Sequence, residues 1–298
     1  MIQVNHVSKT FDGFCALADL NIHVPKGAVY GLVGPNGAGK STIIRHLTGV
    51  YRPDAGEILI GGQPVYENTA IKSRIAYIPD DVYYYPQANI RDMMRFYQGV
   101  YPNFDSEMFE NLHSIFKLDE KRPIRRFSKG MQKQAAFWLA VSTRPDILIL
   151  DEPVDGLDPV MRRQVWSIIL EDVAARGTTV LVSSHNLREL EDVCDHVGVM
   201  HEGKMMLEHS LSELQENIVK VQFVPQDEER PLPEALEVIH RSTSGRIRTL
   251  IIRGQQEKVA EIIERETPLF YDMIPLSLEE IFIYELGGAD YAVKNIVL

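Results

Sequence analysis

The run Gly34-Pro35-Asn36-Gly37-Ala38-Gly39-Lys40-Ser41 is the stretch of this sequence best equipped for chemistry. It fits the pattern G-x-x-x-x-G-K-[ST], in which glycines let the backbone wrap closely around phosphate oxygens and aim its N–H groups inward. A helix starting after Gly39 adds the positive end of its dipole, and Lys40 can reach the terminal phosphates. The Ser41 hydroxyl suits a Mg²⁺ ion, with Thr42 beside it at the start of the helix. The motif demands a strand before the loop and a helix after it. The apolar run 28–33 and the amphipathic stretch 41–48, stopped by Gly49, supply both. A plain glycine-rich turn needs neither flank, so this is a nucleotide site.

A second group lies at Ile147-Leu148-Ile149-Leu150-Asp151-Glu152-Pro153. The fully apolar run reads as a central parallel strand covered on both faces. It ends in two carboxylates, where an open α/β sheet places its ligands. Asp151 suits the Mg²⁺ shell, and Glu152 is placed to orient or deprotonate an attacking water.

These residues need elements to hold them. Residues 179–182 read as another buried strand, and 160–176 as a helix stopped by Gly177. Residues 90–143 are mostly helical: Ile90, Met93, Met94, Tyr97 and Tyr101 recur at three-to-four spacing, and a helix from about 131 to 142 has Ser128 as its N-cap. Residues 187–194 read as a short helix, followed by a hairpin turning at Glu202-Gly203. From Val219 a separate piece begins: an alternating strand, a charged proline-rich loop over 225–233, a strand at 247–252 and a helix at 258–265. The expected division is therefore a nucleotide-binding domain over 1–218 and a small α+β accessory domain over 219–298.

Further along, Phe127-Ser128-Lys129-Gly130-Met131 resembles the LSGGQ signature of the ABC ATPases, and Gly156-Leu157-Asp158 resembles their D-loop. His185 sits like the family's switch histidine, and Phe11 like the aromatic that stacks on adenine. The resemblance covers approximately residues 1–215. It implies an α/β fold, a P-loop NTPase with a RecA-like core, an antiparallel β subdomain and an α-helical subdomain at about 90–143. It also implies ATP and Mg²⁺ as cofactors. Gly34, Pro35, Asn36, Gly37, Ala38, Gly39, Lys40, Ser41, Thr42 and Phe11 would bind nucleotide, with Ser41, Asp80 and Asp151 at the metal and Glu152 and His185 catalytic. Ser128 and Gly130 of one subunit would close over the γ-phosphate held by Lys40 of another, and Asp158 would report across that interface.

The implied partners are a second nucleotide-binding subunit, identical or paralogous, and integral membrane permease subunits. The location would be cytoplasmic and peripheral, on the inner face of the cell membrane. Tyr77-Ile78-Pro79-Asp80-Asp81, the Ser128-Lys129-Gly130-Met131 form and Ser277-Leu278-Glu279-Glu280-Ile281-Phe282 resemble the drug- and antibiotic-export branch. The run Ser184 to Asp192 is similar to YtrB-type subunits of Gram-positive bacteria. Tyr83, Tyr84, Tyr85 and Pro86 read either as a landing site for the permease or as local packing.

Composition agrees. The 298 residues are 45% hydrophobic and 24% charged, with a formal net charge of -11, which disfavours nucleic acid as a partner. Cys15 and Cys194 are the only cysteines and have no metal-binding or redox spacing. No apolar run reaches the length of a membrane-spanning helix. Two rival readings are a non-transport ABC ATPase acting on nucleic acid or the ribosome, and a module that senses ATP without hydrolysing it. Against the first, the chain has no long heptad segment and only one cassette.

Two departures from the family pattern stand out. Asp80 occupies the usual glutamine position, and Lys129 the usual first glycine of the signature, where Met131 also replaces glutamine. Lys129 and Lys133 read as solvated charges, or Lys129 as a cation facing the triphosphate on the opposing subunit. On the second reading, Lys129→Ala should weaken ATP affinity and ATP-dependent dimerisation at low salt, where screening is least. Light scattering that finds dimerisation unchanged would remove that role.

Overall fold

The computed structural model describes residues 1–226, 232–233 and 235–286; most of the loop at 225–233 and the appendage beyond 286 lie outside them. Packing divides the chain into two units, residues 1–185 with 193–208, and residues 186–192 with those from 209 onward.

In the first unit, β1 (Ile2–Phe11) and β2 (Phe14–Val24) form a hairpin, and β3 (Val29–Val33) leads into the glycine loop and α1 (Lys40–Leu47). There follow β4 (Ala55–Ile60), β5 (Gln63–Pro64), α2 (Thr69–Lys72) and β6 (Ile75–Ile78). A helical layer comes next: α3 (Ile90–Val100), α4 (Ser106–Phe116) and α5 (Lys129–Ser142). The chain returns to the sheet as β7 (Ile147–Asp151), α6 (Pro159–Arg176), β8 (Thr179–Ser184), β9 (His196–His201) and β10 (Lys204–Ser210).

The strands form two sheets. One is antiparallel, in the order β2-β1-β4-β5. The other runs β10-β9-β3-β8-β7-β6, with β9, β3, β8, β7 and β6 parallel. All five residues of β3 and of β7 are buried, as a parallel strand covered on both faces requires. One continuous core joins the sheets: Ile2, Leu17, Leu20 and Leu32 pack with Ile43, Ile44 and Leu47 of α1.

Local chemistry accounts for the element ends. Ser128 caps α5 by accepting from the Met131 amide at 3.3 Å. Asp158 caps α6 through Val160 and Met161, with Pro159 opening the helix and Gly177 closing it at φ 69°. The helix expected over 187–194 shrinks to α7 (Arg188–Glu191). The Asp195 carboxylate and amide both bond to Val29, so the chain must already extend into β9 there. At the β9–β10 turn, Glu202 and Gly203 take φ 48° and 75°, the left-handed pair a two-residue hairpin uses.

In the second unit, α8 (Leu211–Asn217) leads to β11 (Ile218–Val224), β12 (Glu237–Ser244), β13 (Ile247–Arg253), α9 (Gln256–Arg265), β14 (Phe270–Ile274) and α10 (Leu278–Leu286). The sheet order is β12-β13-β11-β14, all antiparallel. Val221, Leu250 and Ile252 pack with Val259 and Ile263 of α9. Arg188 bonds to Glu279 at 2.8 Å, and Glu191 accepts from the Leu278 amide at 3.0 Å, so α7 is held by the start of α10.

Trp138 organises the helical layer. It is fully buried, its ring lies 4.8 Å from that of Phe109 and 5.5 Å from that of His113, and its indole N–H donates to the Phe109 carbonyl at 2.7 Å. Trp138→Ala should therefore cost about 3–5 kcal/mol, read from denaturant titration with helix-sensitive circular dichroism.

Candidate active site

The ends of adjacent parallel strands create the site. Val33 pairs with Ser184, Asp151 with Ser183, and Ile78 with Leu150. The segments leaving β3, β8, β7 and β6 thus start from one edge of the sheet, as ligand sites in open α/β sheets do. They carry Gly34–Lys40, His185, Glu152 and Asp80.

Between them is a cleft of about 290 Å³ lined by Phe14, Ala16, Pro35–Thr42, Asp80, Asp151 and Glu152. Gly37 and Gly39 adopt φ 85° and 103°; a Cβ on Gly39 would lie 2.9 Å from the Ala16 carbonyl oxygen, but one on Gly37 would meet nothing within 4 Å, so the loop is open at that point. Gly34 is tight instead: a Cβ there would lie 2.4 Å from the Met200 carbonyl oxygen. The N-terminus of α1 has no side-chain cap and no acid in its first turn. Its leading N–H groups are free of intrahelical acceptors and add the positive end of the helix dipole. Donors, dipole and cation together fit a polyphosphate.

Lys40 is buried and donates to the Gly34 carbonyl at 2.5 Å. Its ammonium lies 3.8 Å from Glu152, whose carboxylate also meets His185 Nδ1 at 2.9 Å. Burial lowers the Lys40 pKa, and burial raises that of Glu152 despite the opposing pull of His185 and Lys40. Glu152 also has φ 45°, in the left-handed region that non-glycine residues adopt uncommonly. Its amide donates to the Ser183 carbonyl and hydroxyl, each at 3.2 Å. Ser183 donates in turn to Asp151 at 2.5 Å, which orients that buried carboxylate. Ser41 and Asp151 offer hard oxygen donors suited to Mg²⁺, and Asp80, expected from the sequence as a third, lines the same cleft with Oδ1 3.3 Å from the Lys133 ammonium.

Not every residue singled out from the sequence lines this cleft. Phe11 packs edge-on to Tyr51 with Lys9 over its ring, whereas Phe14, across the hairpin turn, lines the opening. Ser128 and Gly130 do not line it, and Asp158 serves as a helix cap. Lys133 is no solvated charge: it is 5% exposed and bonds to Asp80 and to the Glu152 carbonyl. Two signals in the sequence mark the missed residues. Lys133 falls on the same helical face as Ala136, Phe137 and Ala140, and Ser183-Ser184 ends an otherwise apolar strand.

Fold and cleft together define a P-loop nucleotide-binding protein. The ABC transporter family model matches residues 17–155. The bacitracin transport ATP-binding protein BcrA of Bacillus licheniformis is 31% identical over 97% of this chain and 98% of its own length. The ABC transporter ATP-binding protein YtrB of Bacillus subtilis (strain 168) is 29% identical over 97% and 99%. A solved ATP-binding subunit of an ABC transporter superposes with a TM-score of 0.67 at 28% identity, covering 72% of this chain and 92% of that one. The chain belongs to the ATP-binding proteins of the ABC transporter family.

Gly130 shows why the signature needs glycine. A Cβ there would lie 2.7 Å from the Gly156 carbonyl oxygen, closer than such contacts occur. Gly130→Ala gains about 1 kcal/mol in helix propensity but incurs about 1–3 kcal/mol of backbone overlap. A lower denaturation midpoint and slower ATP turnover are expected; an increase in both would show that the contact does not constrain the signature.

Proposed function

We propose that this protein hydrolyses ATP as a motor subunit of an exporter, acting as a dimer on the inner face of the cell membrane beneath separate permease subunits. The carrying observation is the Glu152 carboxylate, held between Lys40 and His185 at the mouth of the phosphate cradle.

The loop amides and Lys40 bind the polyphosphate, while Ser41 and Asp151 would hold Mg²⁺. That ion, when bound, offsets negative charge on the phosphate oxygens. Glu152 takes a proton from water as the water oxygen attacks the γ-phosphorus; the bond to the β–γ bridging oxygen breaks, and ADP and phosphate leave. Its raised pKa makes it a stronger base than an ordinary carboxylate. His185 orients that carboxylate and would hydrogen-bond the γ-phosphate. Phe11 and Phe14 are the aromatic candidates for the adenine.

A second chain completes the pocket. Ser128, Lys129 and Gly130 lie outside the lining of this chain's own cleft, at the N-terminus of α5. A helix start with a serine hydroxyl is an anion site, suited to the triphosphate held by a partner. Among the described residues no helix is long and apolar enough to cross a membrane, so the permease is assigned to other polypeptides. Tyr83 and Tyr85 are 77% and 63% exposed and suit a landing surface for it; Tyr84 is buried and packs locally. The likeness to a bacitracin transport protein supports an antibiotic-class cargo.

Glu152→Gln should lower turnover by about a hundredfold or more while nucleotide stays bound, so that ATP-loaded dimers accumulate. Phosphate release and size-exclusion chromatography with ATP test this together. Turnover equal to that of the wild type removes Glu152 as the base.

A further inference from the structure

Lys133 lies on α5, the helix whose start carries the signature, yet its side chain is only 7% exposed. Burying an ammonium is costly unless its donors are used. Lys133 donates to the Glu152 main-chain carbonyl at 2.6 Å and to Asp80 Oδ1 at 3.3 Å. The first contact is short and lands on the residue assigned as base. The second reaches the position where Asp replaces the family's usual glutamine, on the segment that leaves β6.

The main chain of Glu152 is therefore gripped on both sides. Its amide is fixed from β8 by Ser183, and its carbonyl from α5 by Lys133. Between these grips the residue holds φ 45°, in the left-handed region and not the extended one of β7. Release of the carbonyl lets the peptide turn and carries the carboxylate away from Lys40 and His185. A displacement of about 1 Å in such a group is enough to lower a rate by two orders of magnitude.

We infer that Lys133 is a positioning residue for hydrolysis, a buried cation that fixes the backbone of Glu152 and is itself held by Asp80. The segment carrying Asp80 thereby sets the geometry of the base through a charge contact between three separate parts of the chain. This rests on Glu152 being the base, as proposed above.

The test uses the full chain. In Lys133→Met, kcat should fall about tenfold or more while ATP affinity, measured with a fluorescent analogue, stays within about twofold. Backbone amide exchange over residues 150–157 should rise in nucleotide-free protein. Lys133→Arg, which keeps a donor, should recover part of the rate. Because Lys133→Met disturbs a buried position, Asp80→Asn supplies a second arm at a side chain 54% exposed. It should lower kcat about threefold or more in the wild type and have no effect in the Lys133→Met background.

Wild-type kcat in Lys133→Met, or wild-type kcat in Asp80→Asn, overturns the inference. So does an Asp80→Asn loss that persists undiminished without Lys133, which would place Asp80 at the metal instead. Glu152→Gln, measured alongside, separates the two readings. Retained turnover there defeats the assignment of the base, whereas its loss beside an unaffected Lys133→Met defeats only the role of Lys133.

Discussion

The shared register of β3, β8, β7 and β6 is the constraint from which the rest of the site follows. With Val33 opposite Ser184 and Asp151 opposite Ser183, four stretches far apart in sequence must leave the sheet from one edge. A slip of one residue in β7 would turn Asp151 to the opposite face and break its bond with Ser183. The buried apolar runs of these strands stabilise the core. Because these runs are apolar on both faces, a slip would still bury hydrocarbon; the polar contacts at the strand ends, Ser183 with Asp151 and with the Glu152 amide, set the register and fix where the carboxylates emerge.

That edge is held under electrostatic and conformational load. Burial disfavours the charged forms of both Lys40 and Glu152, and each is only partly offset by the other at 3.8 Å. Glu152 adds a left-handed backbone. Features of this kind cost stability and persist where surrounding structure over-determines them. Here the over-determination is visible, since Ser183, Lys133, His185 and Lys40 all converge on one residue.

The parts of the site legible in the sequence are those whose chemistry is contiguous. A phosphate cradle needs consecutive amides, so Gly34–Ser41 carries its signal within one loop, and the apolar run before Asp151 announces a strand end. Ser128 as a helix cap is equally local. For Lys133 and Ser183 the sequence signals burial but not role, and for Phe14 neither, because their roles depend on partners that only tertiary structure supplies. Lys133 meets residues from β6 and β7, and Phe14 reaches the cleft through a hairpin turn at Asp12-Gly13. Tyr84, between two exposed tyrosines, shows the same limit: alternation in exposure along an irregular segment has no period to read.

The contrast between the two contacts of Lys133 bears on what a carboxylate at position 80 does. The pair with Asp80 is long and half-exposed, and such pairs contribute little to stability. The contact with the Glu152 carbonyl is short and shielded. The long contact therefore adds little to the fold, while the short one fixes the backbone of the base. A glutamine at position 80 would hydrogen-bond without drawing the ammonium electrostatically. A carboxylate at the same place acts on a charge.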